Sequence, residues 1–123
     1  MRDFRKYKVW NDSISLVTDI YNLLKSFPVY ERYALSDQMR RSAVSVASNI
    51  AEGASRTSGK EFDHFLQISI GSAFELETQL TIANSLSYID EDQLDNMLVK
   101  IDSLEKRLNK LISTLRDNKS SSQ

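Results

Sequence analysis

The residues of this chain whose types and spacing suggest chemistry are Glu61 and His64, a Glu-x-x-His unit, and the carboxylates Glu52 and Glu75. Helical bundles that hold two iron ions combine two such units with two further carboxylates. This chain has a single histidine, so one copy supplies half of that set. We therefore expect no metal and no cofactor. A metal-dependent or hydrolytic enzyme that uses Glu52, His64 and Glu75 is the alternative hypothesis.

The residue patterns of other kinds of catalytic site are absent or incomplete in the sequence. The histidine follows Ser58 closely on one stretch, and no strand–turn–helix elbow presents a serine nucleophile. The three glycines do not form a phosphate-binding loop, and the absence of cysteine excludes disulfides and thiolate metal sites. The sequence therefore predicts a protein that is not an enzyme.

The most informative stretch is residues 38–56, QMRRSAVSVASNIAEGASR. A helix would place its polar members on one narrow stripe, opposite a face of small apolar residues, and short side chains let another backbone approach closely. We interpret this stripe, together with Glu75 of the next helix, as a polar cluster between helices or as the lining of a subunit seam. The residues of this cluster are Arg41, Asn49, Glu52, Arg56 and Glu75.

Four helices are predicted to position these residues, at 9–27, 36–55, 58–87 and 90–117. Pro28 ends the first helix, because the residue before a proline disfavours helical geometry. Ser36 is the expected N-cap of the second helix, which Gly53 and the following polar residues end. Ser58 with Glu61, and Asp90 with Gln93, predict capping boxes for the third and fourth helices.

The predicted fold is therefore all-α, an antiparallel up-down four-helix bundle. Three glycines and one proline in 123 residues favour long helices. We expect three segments along the chain: a basic N-terminal tail at 1–8, the bundle at 9–117, and a disordered C-terminal tail at 118–123.

The third and fourth predicted helices differ in their apolar faces. The fourth has a single leucine-rich stripe and a charged opposite face, as expected for a helix with one side in water. The third is apolar on two sides, because a second face carries Ile68, Gly71, Ser72, Ile82 and Leu86. One bundle buries only one of these faces, so the pattern predicts a homo-oligomer with closed symmetry.

Charge is unevenly distributed, although the net charge is only −1. Residues 1–60 carry an excess of Lys and Arg, whereas residues 61–123 carry an excess of Asp and Glu. The excess cations form either a solubilising tail with local ion pairs or a phosphate-binding surface. If a nucleic acid binds, the expected contacts are Arg2, Arg5, Lys6, Lys8 and Arg40, with Arg41 and Arg56 as further candidates.

The N-terminus has no apolar segment typical of a signal peptide, and no apolar run is long enough to cross a bilayer. We therefore expect a soluble cytoplasmic protein that does not contact a membrane.

The chain resembles bacterial four-helix-bundle proteins related to those encoded in intervening sequences of 23S rRNA genes. The similarity extends along nearly the whole chain, and its most specific part lies in residues 40–56. The matching residues are Val9-Trp10, Phe27-Pro28, Glu31, Leu35, Gln38, Arg40-Arg41-Ser42-Ala43-Val44-Ser45, Ser48-Asn49-Ile50-Ala51-Glu52-Gly53, Arg56, Glu61-Phe62, Phe65-Leu66, Gly71-Ser72-Ala73, Glu75-Leu76 and Gln79. Val46-Ala47 departs from the usual Ile-Pro of the family, which predicts a straighter second helix.

The resemblance implies a four-helix protomer that assembles into a ring, typically a pentamer. Its relatives include the accessory protein of diversity-generating retroelements, which has a strongly basic surface and binds nucleic acid and a reverse transcriptase. The present chain is net acidic, and the family supplies no defined activity. We therefore expect an oligomeric scaffold or adaptor that contacts RNA or a nucleoprotein.

Overall fold

The computed structural model describes residues 2–121 and contains four α-helices. These are α1 (Lys8–Leu24), α2 (Leu35–Ala54), α3 (Gly59–Ser85) and α4 (Glu91–Ser121), with short 3₁₀ helices at Phe4–Lys6 and Val29–Glu31. Consecutive helices pack on one another, α2 and α3 most extensively, and a thinner contact between α1 and α4 closes the bundle. The predicted all-α four-helix fold is confirmed.

Both predicted N-caps are present, and the one before α4 forms a complete capping box. The amide of Glu61 donates to Ser58 Oγ at 3.1 Å. Before α4, the amide of Gln93 donates to Asp90 Oδ1 at 2.8 Å, and the amide of Asp90 donates to Gln93 Oε1 at 3.0 Å. These bonds satisfy amides that have no partner inside the helix, so they fix where α3 and α4 begin.

Two predicted boundaries are wrong. Ser36 does not cap α2, because the helix begins at Leu35 and buries Ser36 within its first turn. The first helix ends at Leu24 rather than near residue 27, and the amides of the next three residues donate to carbonyls three residues back. These hydrogen bonds form a tighter turn just before Pro28, because the residue before a proline disfavours α-helical geometry.

Parts of both expected tails lie among the described residues. Phe4 packs edge-on against Trp10 with ring centroids 5.1 Å apart, and Tyr7 packs against Phe62 at 5.6 Å. The described part of the N-terminal segment therefore covers the bundle. At the other end, α4 continues through Ser121, since no glycine or proline interrupts it. The last two residues of the expected disordered tail lie outside the described residues.

The core lies between all four helices and is densest where α2 meets α3. A Cβ added at Gly53 would lie 2.7 Å from Phe65 Cβ and 2.9 Å from Phe62 Cδ1. Gly53 lies in the last turn of α2, which ends one residue later at Ala54, close to the predicted end, and its missing side chain also permits a close approach of α3. The helix also continues without interruption through Val46 and Ala47.

Candidate assembly face and basic end

Glu52, His64 and Glu75, the residues of the alternative enzymatic hypothesis, do not lie together in the structure. His64 is exposed on α3 beside the ring of Phe65, and about three helical turns separate it from the exposed Glu75. Glu52 accepts a hydrogen bond from Arg56 at 2.5 Å. Within residues 2–121, no group of three or more His, Asp or Glu side chains is arranged to hold a metal ion.

The predicted polar cluster is divided into local pairs. Arg41 donates to Asp37 at 2.9 Å, one turn away on α2. Asn49 donates to the carbonyl of Ser45 at 2.8 Å, and Ser45 Oγ lies 2.8 Å from Ser72 Oγ on α3. Asn49 therefore belongs to a seam of short polar side chains between α2 and α3.

Glu75 stays outside this seam. It is exposed, and among the described residues it takes part in no ion pair. The predicted association of Glu75 with Arg41, Asn49, Glu52 and Arg56 is therefore not formed within one protomer.

The outward side of α3 carries exposed apolar residues before and after the charged Glu75. We call Ile68, Gly71, Glu75, Ile82 and Leu86, which share this side of the helix, the α3 ridge. The three large side chains of the ridge are 40%, 44% and 50% exposed. A Cβ added at Gly71 would have no atom within 4 Å. The ridge is thus an apolar surface that the bundle itself leaves uncovered.

A second apolar surface is concave. The outward faces of α1 and α2 form a groove, which we call the α1/α2 groove, and Ile14 and Val44 within it are exposed. The cationic Arg41 lies beyond one end of the groove, next to Val44. The groove is lined by Phe4, Trp10, Ile14, Val17, Val44, Ala47, Ser48 and Ala51.

Most of the predicted nucleic-acid contacts gather at one end of the bundle, near the α2–α3 connection. Arg2 donates to the carbonyl of Arg56 at 2.9 Å, and its guanidinium lies 5.0 Å from the ring centre of Phe62. Arg5 pairs with Asp3 at 3.4 Å, and Lys8 pairs with Asp12 at 3.4 Å. Lys6 has no ion-pair partner within the described part of the chain.

Lys60 joins this end, although the sequence interpretation did not single it out. It is exposed in the first turn of α3 and lines a depression with Arg56 and His64. Lys60 lies near Arg56, to which Arg2 is bonded, because α2 and α3 are joined at this end. A count of charges along the sequence could not reveal this arrangement. We call Arg2, Arg5, Lys6, Lys8, Arg56 and Lys60 the basic end.

Arg40 does not belong to the basic end. It lies in the first half of α2, more than four turns before Arg56, and donates to the carbonyl of Arg32 at 2.8 Å. The structure therefore separates Arg40, together with its neighbour Arg41, from the basic end.

Sequence reasoning also missed a buried carboxyl group. Glu105 of α4 is only 8% exposed, and its Oε2 has no hydrogen-bond partner among the described residues. Burial, followed by the negative charge of Glu77 and a hydrogen bond with it, raises the pKa of Glu105 to about 7. Its position on the apolar stripe of α4, one turn after Ile101, is the signal that would have identified it.

Asp63 behaves in the opposite way. Burial opposes its ionisation, but hydrogen bonds from Arg116 and Gln67 outweigh that effect and lower the pKa of Asp63. The Arg116 Nε–Asp63 Oδ2 distance is 2.8 Å, so this ion pair ties the end of α4 to the start of α3.

No helix within residues 2–121 is both long enough and apolar enough to span a membrane.

Comparison with known proteins identifies the family. The sequence model of the family described as 23S rRNA-intervening sequence protein matches residues 5–110. A crystal structure from Bacteroides thetaiotaomicron VPI-5482, described as a protein with unknown function from the S23 ribosomal protein family, is 29% identical with a TM-score of 0.77. The match covers 85% of this chain and 97% of that chain. No curated protein matches. The chain therefore belongs to the 23S rRNA-intervening sequence protein family, as the sequence resemblance predicted.

Proposed function

We propose that this member of the 23S rRNA-intervening sequence protein family is a non-enzymatic scaffold that assembles through its α3 ridge. The observation that carries this proposal is the exposure of Ile68, Ile82 and Leu86 on one side of a helix whose other side is buried. Large apolar side chains exposed on one side of a helix in this way are typical of protein–protein contact sites. The partner we propose is a second copy of the chain.

The shapes of the two surfaces support a contact between unlike faces. The α1/α2 groove is concave and lined mainly by apolar residues, so it offers a site for the α3 ridge of another copy. Such a head-to-tail contact closes into a ring when its rotation is suitable. A ring of five copies is the assembly that the sequence resemblance implies.

Charge and backbone also favour this docking. Glu75 of the ridge is exposed without an ion pair, and Arg41 beside the groove is largely exposed although it bonds to Asp37. Glu75 of one copy and Arg41 of its neighbour therefore form a complementary pair at the contact. Gly71 lets the two backbones approach closely, which accounts for a glycine in the middle of a long helix.

The test is the mass of two matched variants in solution. Ile82→Glu places a charge on the ridge, whereas Val99→Glu places the same charge on an exposed apolar residue of α4. By light scattering after size exclusion, we expect Ile82→Glu to elute as a monomer and Val99→Glu to retain the wild-type mass. An Ile82→Glu variant that keeps the wild-type assembly contradicts the proposed interface.

We propose further that the basic end contacts the RNA backbone, alone or within a nucleoprotein. The specific observation is that Lys6 and Lys60 carry charges that no ion pair neutralises within the described residues. Unpaired cations are available for phosphate groups, and their contacts release counterions. A cytoplasmic location belongs to this proposal, because ribosomal RNA is found there.

Fluorescence anisotropy with a labelled single-stranded RNA at low salt tests this contact. Neutralising Lys6 and Lys60 to Gln should weaken binding and reduce the salt dependence by about one unit of slope for each lost phosphate contact. Lys25→Gln is the matched control, because Lys25 is exposed at the other end of the bundle. Absence of binding, or equal weakening by the control, contradicts the proposed RNA contact.

A further inference from the structure

Glu105 occupies a position in α4 that an apolar residue would ordinarily fill. Ile101 and Leu108, one turn before and after it, are fully buried. The carboxyl group is itself almost completely buried, and Oε2 accepts no hydrogen bond within the described part of the chain. A buried polar group without a partner destabilises a fold unless its charge is removed or matched. The ionisation state of Glu105 therefore has structural consequences.

The group that meets Glu105 from α3 is another carboxyl. Glu77 is half-buried and shares a hydrogen bond with Glu105. Two carboxyl groups form such a bond only when one of them carries a proton, because two carboxylates have only acceptors. Asp102, on the same side of α4, adds a further negative charge.

No cation neutralises this pair. Lys106, the next residue along α4, pairs with Asp102 at 3.0 Å. Within the described residues, neither Glu77 nor Glu105 has a Lys, Arg or His partner within 4.0 Å. The other charged groups that join α4 to its neighbours are already paired, as Asp12–Arg107 and Asp19–Lys100 towards α1 and Asp63–Arg116 towards α3.

We propose that one proton shared by Glu105 and Glu77 acts as a latch between α3 and α4, and that its loss at higher pH loosens α4 from the bundle. With the proton present, the two carboxyl groups bond across the helix–helix contact. Without it, two negative charges face each other in a largely buried site. On its other side, α4 is held to α1 by a thin contact with two exposed ion pairs, so α4 is the helix that yields.

The direction of the pH effect follows from proton binding. The ordinary pKa of a glutamate is 4.5 and that of Glu105 is about 7, so between these values the folded state holds more protons than the unfolded state. Stability therefore falls as pH rises through this window, by up to about tenfold in the unfolding equilibrium constant per pH unit. The contribution is fully lost above the folded pKa and fully present below the unfolded one.

Carboxyl-carbon NMR titration and amide hydrogen exchange test the latch in the full chain. We expect the Glu105 carboxyl to titrate near pH 7, and the α4 amides around Ile101 to lose protection between pH 5 and pH 7 beyond the intrinsic change in exchange rate. In Glu105→Gln, which mimics the protonated group, the α4 protection should stay constant over this range.

Glu75→Gln is the matched control, since it makes the same change on an exposed residue of α3 two positions from Glu77. It should retain the wild-type pH dependence. A Glu105 midpoint near 4.5, or a Glu105→Gln variant that loses α4 protection with pH as the wild type does, overturns the proposal.

Discussion

The outward surfaces of α3 and α4 differ, although both helices contribute a full apolar stripe to the same core. On α4, one large apolar side chain, Val99, is well exposed within the described residues, and its neighbours are charged residues in ion pairs. On α3, the outward side carries Ile68, Ile82 and Leu86. A helix with one apolar face is complete within the protomer, whereas a helix with two such faces leaves one of them uncovered, which is why we propose a partner for α3.

The largest expected effect on stability comes from a substitution where α2 packs against the buried side of α3. In Gly53→Ala the new Cβ would meet Phe65 Cβ at 2.7 Å and Phe62 O at 3.3 Å, so α2 and α3 must separate. We expect a loss of about 2–3 kcal/mol in the free energy of unfolding. Urea denaturation at one fixed protein concentration measures it.

Gly59→Ala is the control for this variant, because a Cβ there meets no atom within 4 Å. It should change stability by less than about 0.5 kcal/mol. If Gly53→Ala and Gly59→Ala have equal urea midpoints, α3 is packed against α2 no more closely at Gly53 than at its own exposed start.

The next largest effect is expected on the α3 ridge. Gly71→Ala should improve the helix by about 0.5–1 kcal/mol in a separated protomer, because alanine is the better helix former. At an interface the same methyl group would obstruct the neighbouring backbone. We expect the concentration at which the assembly dissociates to rise about tenfold or more, a change of about 1.4 kcal/mol.

A dilution series with light scattering measures that concentration, and Gly59→Ala again serves as the comparison. If Gly71→Ala dissociates at the wild-type concentration, the ridge does not lie against another copy, and the contrast between α3 and α4 loses its explanation.

The junction between the two helices gives a smaller effect. Ser87 has a φ of 64°, in the left-handed region, where the amide of Tyr88 donates to the carbonyl of Ala83 at 2.9 Å and ends α3. Glycine adopts this conformation without steric cost, so Ser87→Gly should stabilise the chain by about 0.5–1 kcal/mol. Thermal unfolding measures the gain, and a decrease in the melting temperature would contradict it.

The smallest effect is expected on the charged surface of α4. Lys100 pairs with Asp19 at 2.8 Å, but both side chains are substantially exposed. Lys100→Met should therefore change the free energy of unfolding by less than about 0.5 kcal/mol. A loss above about 1 kcal/mol in urea denaturation would show that the α4 surface is not simply a solvated face.

Local sequence patterns predicted the helix order and the starts of α3 and α4, because capping boxes depend on residues three positions apart. Ser58 with Glu61 is one such pair of residues. Contacts between helices could not be predicted from such local patterns. The close contact of Gly53 with α3 was not predicted, because it depends on the packing of two phenylalanines from another part of the chain. Glu105 was missed because its burial and its closeness to Glu77 depend on how α4 packs against α3.

The mass of the wild-type protein in solution tests the central claim most directly. If the α3 ridge is an assembly surface, light scattering after size exclusion should give several times the protomer mass of 14.1 kDa, about five times for the proposed ring. A mass of one protomer at micromolar concentration would contradict the account, because α3 would then expose its second apolar face to water without a partner.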